Sequence, residues 1–158
     1  MNMPLFCFGS LMDREMLSCV LDRPIDNIEL VSATIQGYSR VCLPHETYPM
    51  LVVDVEHDAP GMLVYGLCKS DLERIVFFEG DEYELSPCQV RLKDGSVAEA
   101  LFFDEGTMPP AESTEWDFVH WQKEYKPYML RQSKRYMSYF GHMSAAEADI
   151  HWQEYRED

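Results

Sequence analysis

A chain of 158 residues is long enough to bury one sizeable core, and a hydrophobic content of 46% with 13% aromatic residues excludes a disordered or low-complexity protein. The formal charge of -15 argues against nucleic-acid backbones and anionic membrane surfaces as partners. The cysteines Cys7, Cys19, Cys42, Cys68 and Cys88 form an odd, scattered set with no C-x-x-C pair. No charged segment leads into an apolar run near the start, and no apolar stretch reaches the roughly 18 residues that span a bilayer, so reduced thiols in a cytoplasmic setting are expected.

Leu5-Phe6-Cys7-Phe8 reads as a short buried strand. It turns at Gly9-Ser10 into a helix expected from about Met12 to Leu21, with Ser10 and Asp13 spaced as a capping box. Such a turn leaves backbone N–H groups with no partner of their own. From Ile35 to Phe103 the pattern is mainly β. Met50-Leu51-Val52-Val53 and Met62-Leu63-Val64-Tyr65 read as separate strands, divided by a polar turn ending at Pro60-Gly61. Cys88, Val90 and Leu92 alternate with Gln89, Arg91 and Lys93, as in a strand with one wet face, and Asp94-Gly95 marks the hairpin to a strand from Val97 to Phe103.

One helix interrupts this β region, from Lys69 to Gly80. Ser70 and Glu73 have capping-box spacing, and Gly80 is a natural stop. Leu72, Ile75 and Val76 define a buried stripe, and seven residues beyond Leu72 that stripe reaches Glu79. A carboxylate facing a core is costly unless it is paired, protonated or working. Glu79 is therefore the first candidate for chemistry.

Thr107-Met108-Pro109-Pro110 reads as a connector to a helical last third. There Phe118, Trp121, Tyr125 and Tyr128 recur at helical spacing, Pro127 kinks that helix or starts another running to about Phe140, and the acidic tail from Glu147 is expected to fray. These aromatic helices read first as cover for the core, and as a roof over one end of the β part second.

Taken in order, Phe8-Gly9-Ser10-Leu11, Tyr48-Pro49, Pro60-Gly61, Tyr65-Gly66 and Phe78-Glu79-Gly80-Asp81-Glu82-Tyr83 resemble the gamma-glutamyl cyclotransferase-like superfamily, in its branch of avirulence-induced-gene-like proteins and gamma-glutamylamine cyclotransferases. The resemblance covers about residues 4–103. It implies an α+β fold: a small mixed β-barrel over 1–106 with flanking helices, and a helical extension over 107–158 packed on the same domain. It also implies a small-molecule gamma-glutamyl substrate, no cofactor, and release of 5-oxoproline with a free amine or amino acid. By position, Glu79 takes the role of acid/base, and Phe8, Gly9, Ser10 and Leu11 that of the substrate-holding turn. The superfamily usually carries Tyr where this chain has Phe8, which removes a hydroxyl but no backbone amide. Tyr83 is placed to orient Glu79 or close the pocket, and Arg40 and Tyr48 flank the same β region, within reach of a substrate carboxylate. For Arg40 the plainer reading is a surface ion pair.

The chemistry suits these residue types. In a gamma-glutamyl compound the α-amine can close on its own side-chain carbonyl, so the enzyme need supply only the folded conformer and a proton shuttle. One carboxyl can do both transfers if its pKa is lifted from about 4.3 toward 6 or 7, by burial near Ile75, Val76 and Phe78 and by repulsion from Asp81 and Glu82. The turn amides can hold either the substrate carboxylate or the developing oxyanion. The rival reading is a non-catalytic small-molecule binding protein on the same fold. His45, His57, His120, His142 and His151 show no metal-ligand spacing, and Ser10 lacks the nucleophile-elbow motif of a serine hydrolase.

Overall fold

A closed five-stranded barrel carries the molecule. The computed structural model describes residues 3–42, 47–80, 83–104 and 114–154, with side chains to residue 151. The strands are β1 (Leu5–Cys7), β2 (Glu29–Cys42), β3 (Pro49–Tyr65), β4 (Glu84–Leu92) and β5 (Val97–Asp104). They are ordered β1-β3-β2-β4-β5, and a parallel pairing of Leu5 with Leu101 closes the ring. The other neighbours are antiparallel. Helices α1 (Arg14–Leu21), α2 (Lys69–Glu79), α3 (Phe118–Glu124), α4 (Lys126–Met137) and α5 (Ala145–Glu154) accompany it. This is the expected α+β architecture.

Two features of the β region differ from expectation. The polar stretch before Pro60-Gly61 is no turn: β3 runs as one strand of 17 residues, paired with β2 on both sides of a register shift that leaves residues 54–57 without a β2 partner. Only its middle, residues 53–58, stands away from the core, with Val53 66% and Val55 85% exposed, while Val41, Met50 and Val52 beside it in the sheet are buried. Alternation has nothing to report when neither face is dry. The shift falls between Gln36 and Tyr38 of β2, where Gly37 takes φ +83° and interrupts the ladder. The Asp94-Gly95 hairpin forms as expected, with Gly95 N–H on the Leu92 carbonyl and Asp94 accepting from Ser96.

Both early helix caps are shifted. Ser10–Met12 is one turn of 3-10 helix, and α1 starts only at Arg14, capped by the Asp13 side chain on Met16 N–H at 3.0 Å. In α2 the capping box belongs to Cys68 and Asp71, not Ser70 and Glu73. Asp71 is claimed from far along the chain: Arg23 grips its two oxygens at 3.0 and 2.6 Å, while Cys68 N–H donates to it at 3.0 Å. The buried face is also broader than one stripe. Ile75 is fully buried, Val76 is 43% exposed, and Phe77, about 200° round the helix from Ile75, is buried beneath Tyr136 and Phe140 of the C-terminal part at 5.1 and 5.4 Å. A helix covered on two sides has no single stripe to read.

The Arg23–Asp71 pair fixes the start of the helix that ends at Glu79. Hydrogen bonds from Arg23, aided by Cys68 N–H and against the pull of burial, hold the Asp71 carboxyl at about 2. Because the folded value lies below the unfolded one, this stabilisation of about 2 kcal/mol is complete above pH ~4 and disappears as pH falls toward 2. Urea melts of wild type and Asp71→Asn should therefore differ clearly at pH 6 and converge by pH ~2. A constant gap would mean that the pair does not titrate with the fold.

In the last third Pro127 ends the run of α3 and opens a new helix, α4, one of the two outcomes expected of it. The chain from Glu147 does not fray at once; it continues in α5 to Glu154. The connector Thr107–Pro110 lies outside the described residues. Tyr136, Met137, Ala145 and Ala148 share one core with Leu5, Cys7, Leu17 and Ile75, so these helices pack directly on the barrel end.

Candidate active site

Asp13 couples the turn after β1 to the C-terminal helices. Its buried carboxylate caps α1 and also accepts from Gln122 Nε2 and Lys126 Nζ, both at 2.9 Å. Burial alone would raise its pKa, but these hydrogen bonds outweigh it and hold the group below the usual carboxylate range. Within the preceding turn the first bond runs from Met12 N–H to the Gly9 carbonyl, at 3.0 Å. The amides of Ser10 and Leu11 have no acceptor inside that turn.

Arg40 supports the same turn from beneath. It is neither a surface ion pair nor part of the cavity wall beside the turn. At 8% exposure, its guanidinium donates to the carbonyls of Phe8 at 3.2 Å and Pro60 at 3.1 Å and lies 4.9 Å over the Trp116 ring. Burial lowers its pKa. Trp116 in turn donates through Nε1 to the Thr47 carbonyl at 2.9 Å, which fixes the approach to Tyr48 and Pro49.

Between the turn, the end of α2 and α4 lies a cavity of about 150 Å³. Phe8, Gly9, Ser10, Leu11, Tyr48, Glu79 and Tyr83, all singled out in the sequence, line it together. Glu79 is half-buried as the last residue of α2, where Gly80 takes φ +97° and donates to the Val76 carbonyl. Asp81 and Glu82 lie outside the described residues, as does His45. The gap above Gly9 is tight: a Cβ there would stand 3.1 Å from Pro49 Cδ.

The C-terminal helices supply the far wall, which sequence reasoning did not assign. Met129, Gln132, Ser133 and Tyr136 of α4 and Asp149 of α5 all line the cavity. Tyr136 is pinned by its hydroxyl, which donates to the Phe77 carbonyl at 3.1 Å. Among the described lining residues there are two carboxylates and no cationic side chain. The signal that could have found Gln132 is the one that found Glu79, a polar residue on an otherwise apolar helical stripe.

Cys7 also lines the cavity but is no nucleophile. Burial first, and the Glu79 carboxylate second, push its thiol far up, so it stays protonated at neutral pH. Iodoacetamide at pH 8 should label exposed Cys68 and leave Cys7 unmodified in the folded protein, as read by peptide mass spectrometry. Prompt labelling of Cys7 would contradict this electrostatic picture.

Residues 5–123 match the model of the family described as gamma-glutamyl cyclotransferase, AIG2-like. The chain is similar to AIG2-like protein A of Arabidopsis thaliana, 28% identical with 84% of this chain and 79% of that protein covered. AIG2-like protein B of the same plant is 30% identical, with coverage of 75% and 69%. A solution structure from Arabidopsis thaliana superposes with a TM-score of 0.62 at 27% identity, covering 86% of this chain and 91% of the other. A structure described as gamma-glutamyl cyclotransferase, 12% identical, shares the fold with a TM-score of 0.56 over 96% of this chain and 98% of its own.

Proposed function

Because this chain belongs to the gamma-glutamyl cyclotransferase, AIG2-like family, we propose that it cyclises a gamma-glutamyl amine or gamma-glutamyl amino acid to 5-oxoproline and releases the free amine. The observation that carries the reading is that Glu79 and the Gly9–Leu11 turn border one small cavity. In the proposed reaction the substrate lies folded, its α-carboxylate held by the amides of Ser10 and Leu11. The α-amine nitrogen attacks the side-chain carbonyl carbon and passes a proton to the Glu79 carboxylate. As the new ring collapses, the bond to the departing nitrogen breaks and Glu79 returns the proton to it. No proton is gained or lost overall, and no covalent enzyme intermediate forms. The gain comes from holding a near-attack conformer and from a carboxyl that works in both directions.

Phe8, Tyr48 and Tyr83 wall the reacting centre and exclude water from it. Arg40 acts through the turn as a positioning residue, by its bond to the Phe8 carbonyl. The cavity volume favours a compact ligand over a long peptide.

The test is a panel of gamma-glutamyl amines and gamma-glutamyl amino acids incubated with the protein, with 5-oxoproline measured. At least one member should yield it in enzyme-dependent amounts. Binding of panel members without any 5-oxoproline would assign the cavity to a non-catalytic binding protein instead.

A further inference from the structure

The wall contributed by α4 contains a polar group that the proposed reaction leaves unused. Gln132 is 3% exposed and borders the cavity, and its Oε1 has no hydrogen-bond partner among the described residues. Buried carbonyl oxygens are almost always paired, so an orphan beside a cavity marks a place where an incoming donor is met. Its neighbours give the setting. Met129, Gln132, Ser133 and Tyr136 are spaced three, four and seven apart, so one face of α4 addresses the cavity, with the amide set between two large hydrophobes. Asp149 from α5 adds a second acceptor to this wall.

The division of labour follows from the elements. The turn after β1 and the end of α2 belong to the barrel and serve the glutamyl half of the substrate. The α4 wall is left for the half that departs. We propose that Gln132 binds the leaving amine, its carboxamide oxygen accepting a hydrogen bond from an O–H or N–H carried by that group. This rests on the cyclotransferase reading. The enzyme accordingly selects gamma-glutamyl amines whose leaving group bears a donor, and discriminates against plain alkyl amines of equal size, which would seal the oxygen away unpaired.

The test uses two compounds of matched length, gamma-glutamylethanolamide and gamma-glutamylpropylamide, which differ by a hydroxyl in place of a methyl. Binding is measured by calorimetry in the Glu79→Gln protein, so that turnover does not interfere. The hydroxyl compound should bind at least about tenfold more tightly. In the Glu79→Gln, Gln132→Met protein that preference should fall to within about twofold, because Met keeps the volume and removes the acceptor. Gln132→Met should also melt no lower than its parent, since it removes an unpaired polar group. Equal binding of the two compounds, a preference that survives Gln132→Met, or a lowered melting temperature would each overturn the inference. If the wild type forms 5-oxoproline from both compounds without preference, only this inference falls. If neither these compounds nor any other member of the gamma-glutamyl panel yields 5-oxoproline, the cyclotransferase reading falls, and this inference with it.

Discussion

Glu79→Gln is expected to leave a folded protein that still binds a gamma-glutamyl amine but forms 5-oxoproline about a thousandfold more slowly. Gln preserves the size and most of the polarity of the side chain at the end of α2, so the helix stop at Gly80 and the packing of Phe77 under Tyr136 are undisturbed. What it cannot do is accept the proton of the attacking amine or return one to the departing nitrogen. An interaction needed only as charge moves should be lost from kcat, with little change in substrate affinity. The measurements are calorimetric binding and a 5-oxoproline assay on the same preparations. Asp149→Asn is the necessary companion, because Asp149 is the other described carboxylate bordering the cavity. Should Glu79→Gln keep near-normal turnover while Asp149→Asn loses it, the proton shuttle would be reassigned to α5.

The same substitution tests whether Glu79 feels its surroundings as the structure implies. Its negative charge helps to keep the Cys7 thiol protonated, so removing that charge should ease Cys7 downward, while burial still keeps it unreactive. Charge at the end of α2 is thus felt on β1, across the cavity that both elements border.

The barrel half of the site was legible because its residues are tied to local punctuation. A glycine-serine turn after a short apolar run, and an acid at the end of a helix closed by Gly80, each make sense within ten residues of chain. The α4 wall was not legible for a different reason. A helical period says which residues share a face, but not which neighbour that face meets. Phe118, Trp121, Tyr125 and Tyr128 drew attention by their size, and Trp121 is indeed packed against Trp116 and Phe118. The residues that reach the cavity begin one position after Tyr128, at Met129, and include the modest Gln132 and Ser133. The caps failed similarly. S-x-x-E and C-x-x-D have the same spacing, and the choice between them is made by Arg23, which claims Asp71 over 48 residues of chain.

Gly61→Ala should cost about 3 kcal/mol and lower the melting temperature by about 10 °C, at the upper end of what one added methyl group does to a packed core. Gly61 lies in β3 opposite Ala33 of β2, one residue before the Met62 that pairs with Cys7. Its backbone is not in the left-handed region, so the demand for glycine is one of space. An added Cβ would stand 2.5 Å from Phe6 Cζ, 2.7 Å from Phe6 Cε1 and 2.6 Å from the Cys7 carbonyl oxygen. Neither neighbour can yield cheaply. The Phe6 ring is fully enclosed by the barrel core, and the Cys7 carbonyl is backbone in a strand of only three residues that closes the barrel. The strand must therefore move, and it carries Phe6, Cys7 and the turn to Leu11 away from Glu79. The loss of stability should come with a rise in KM, because the anchor and the shuttle no longer border the same space. Gly37→Ala separates this effect from backbone strain: at φ +83° with nothing within 4 Å of the new Cβ, it should cost only about 1 kcal/mol and leave KM unchanged. If thermal melts placed Gly61→Ala at or above Gly37→Ala, β1 would have to be free to give way, and it could not be the rigid seat on which the turn rests.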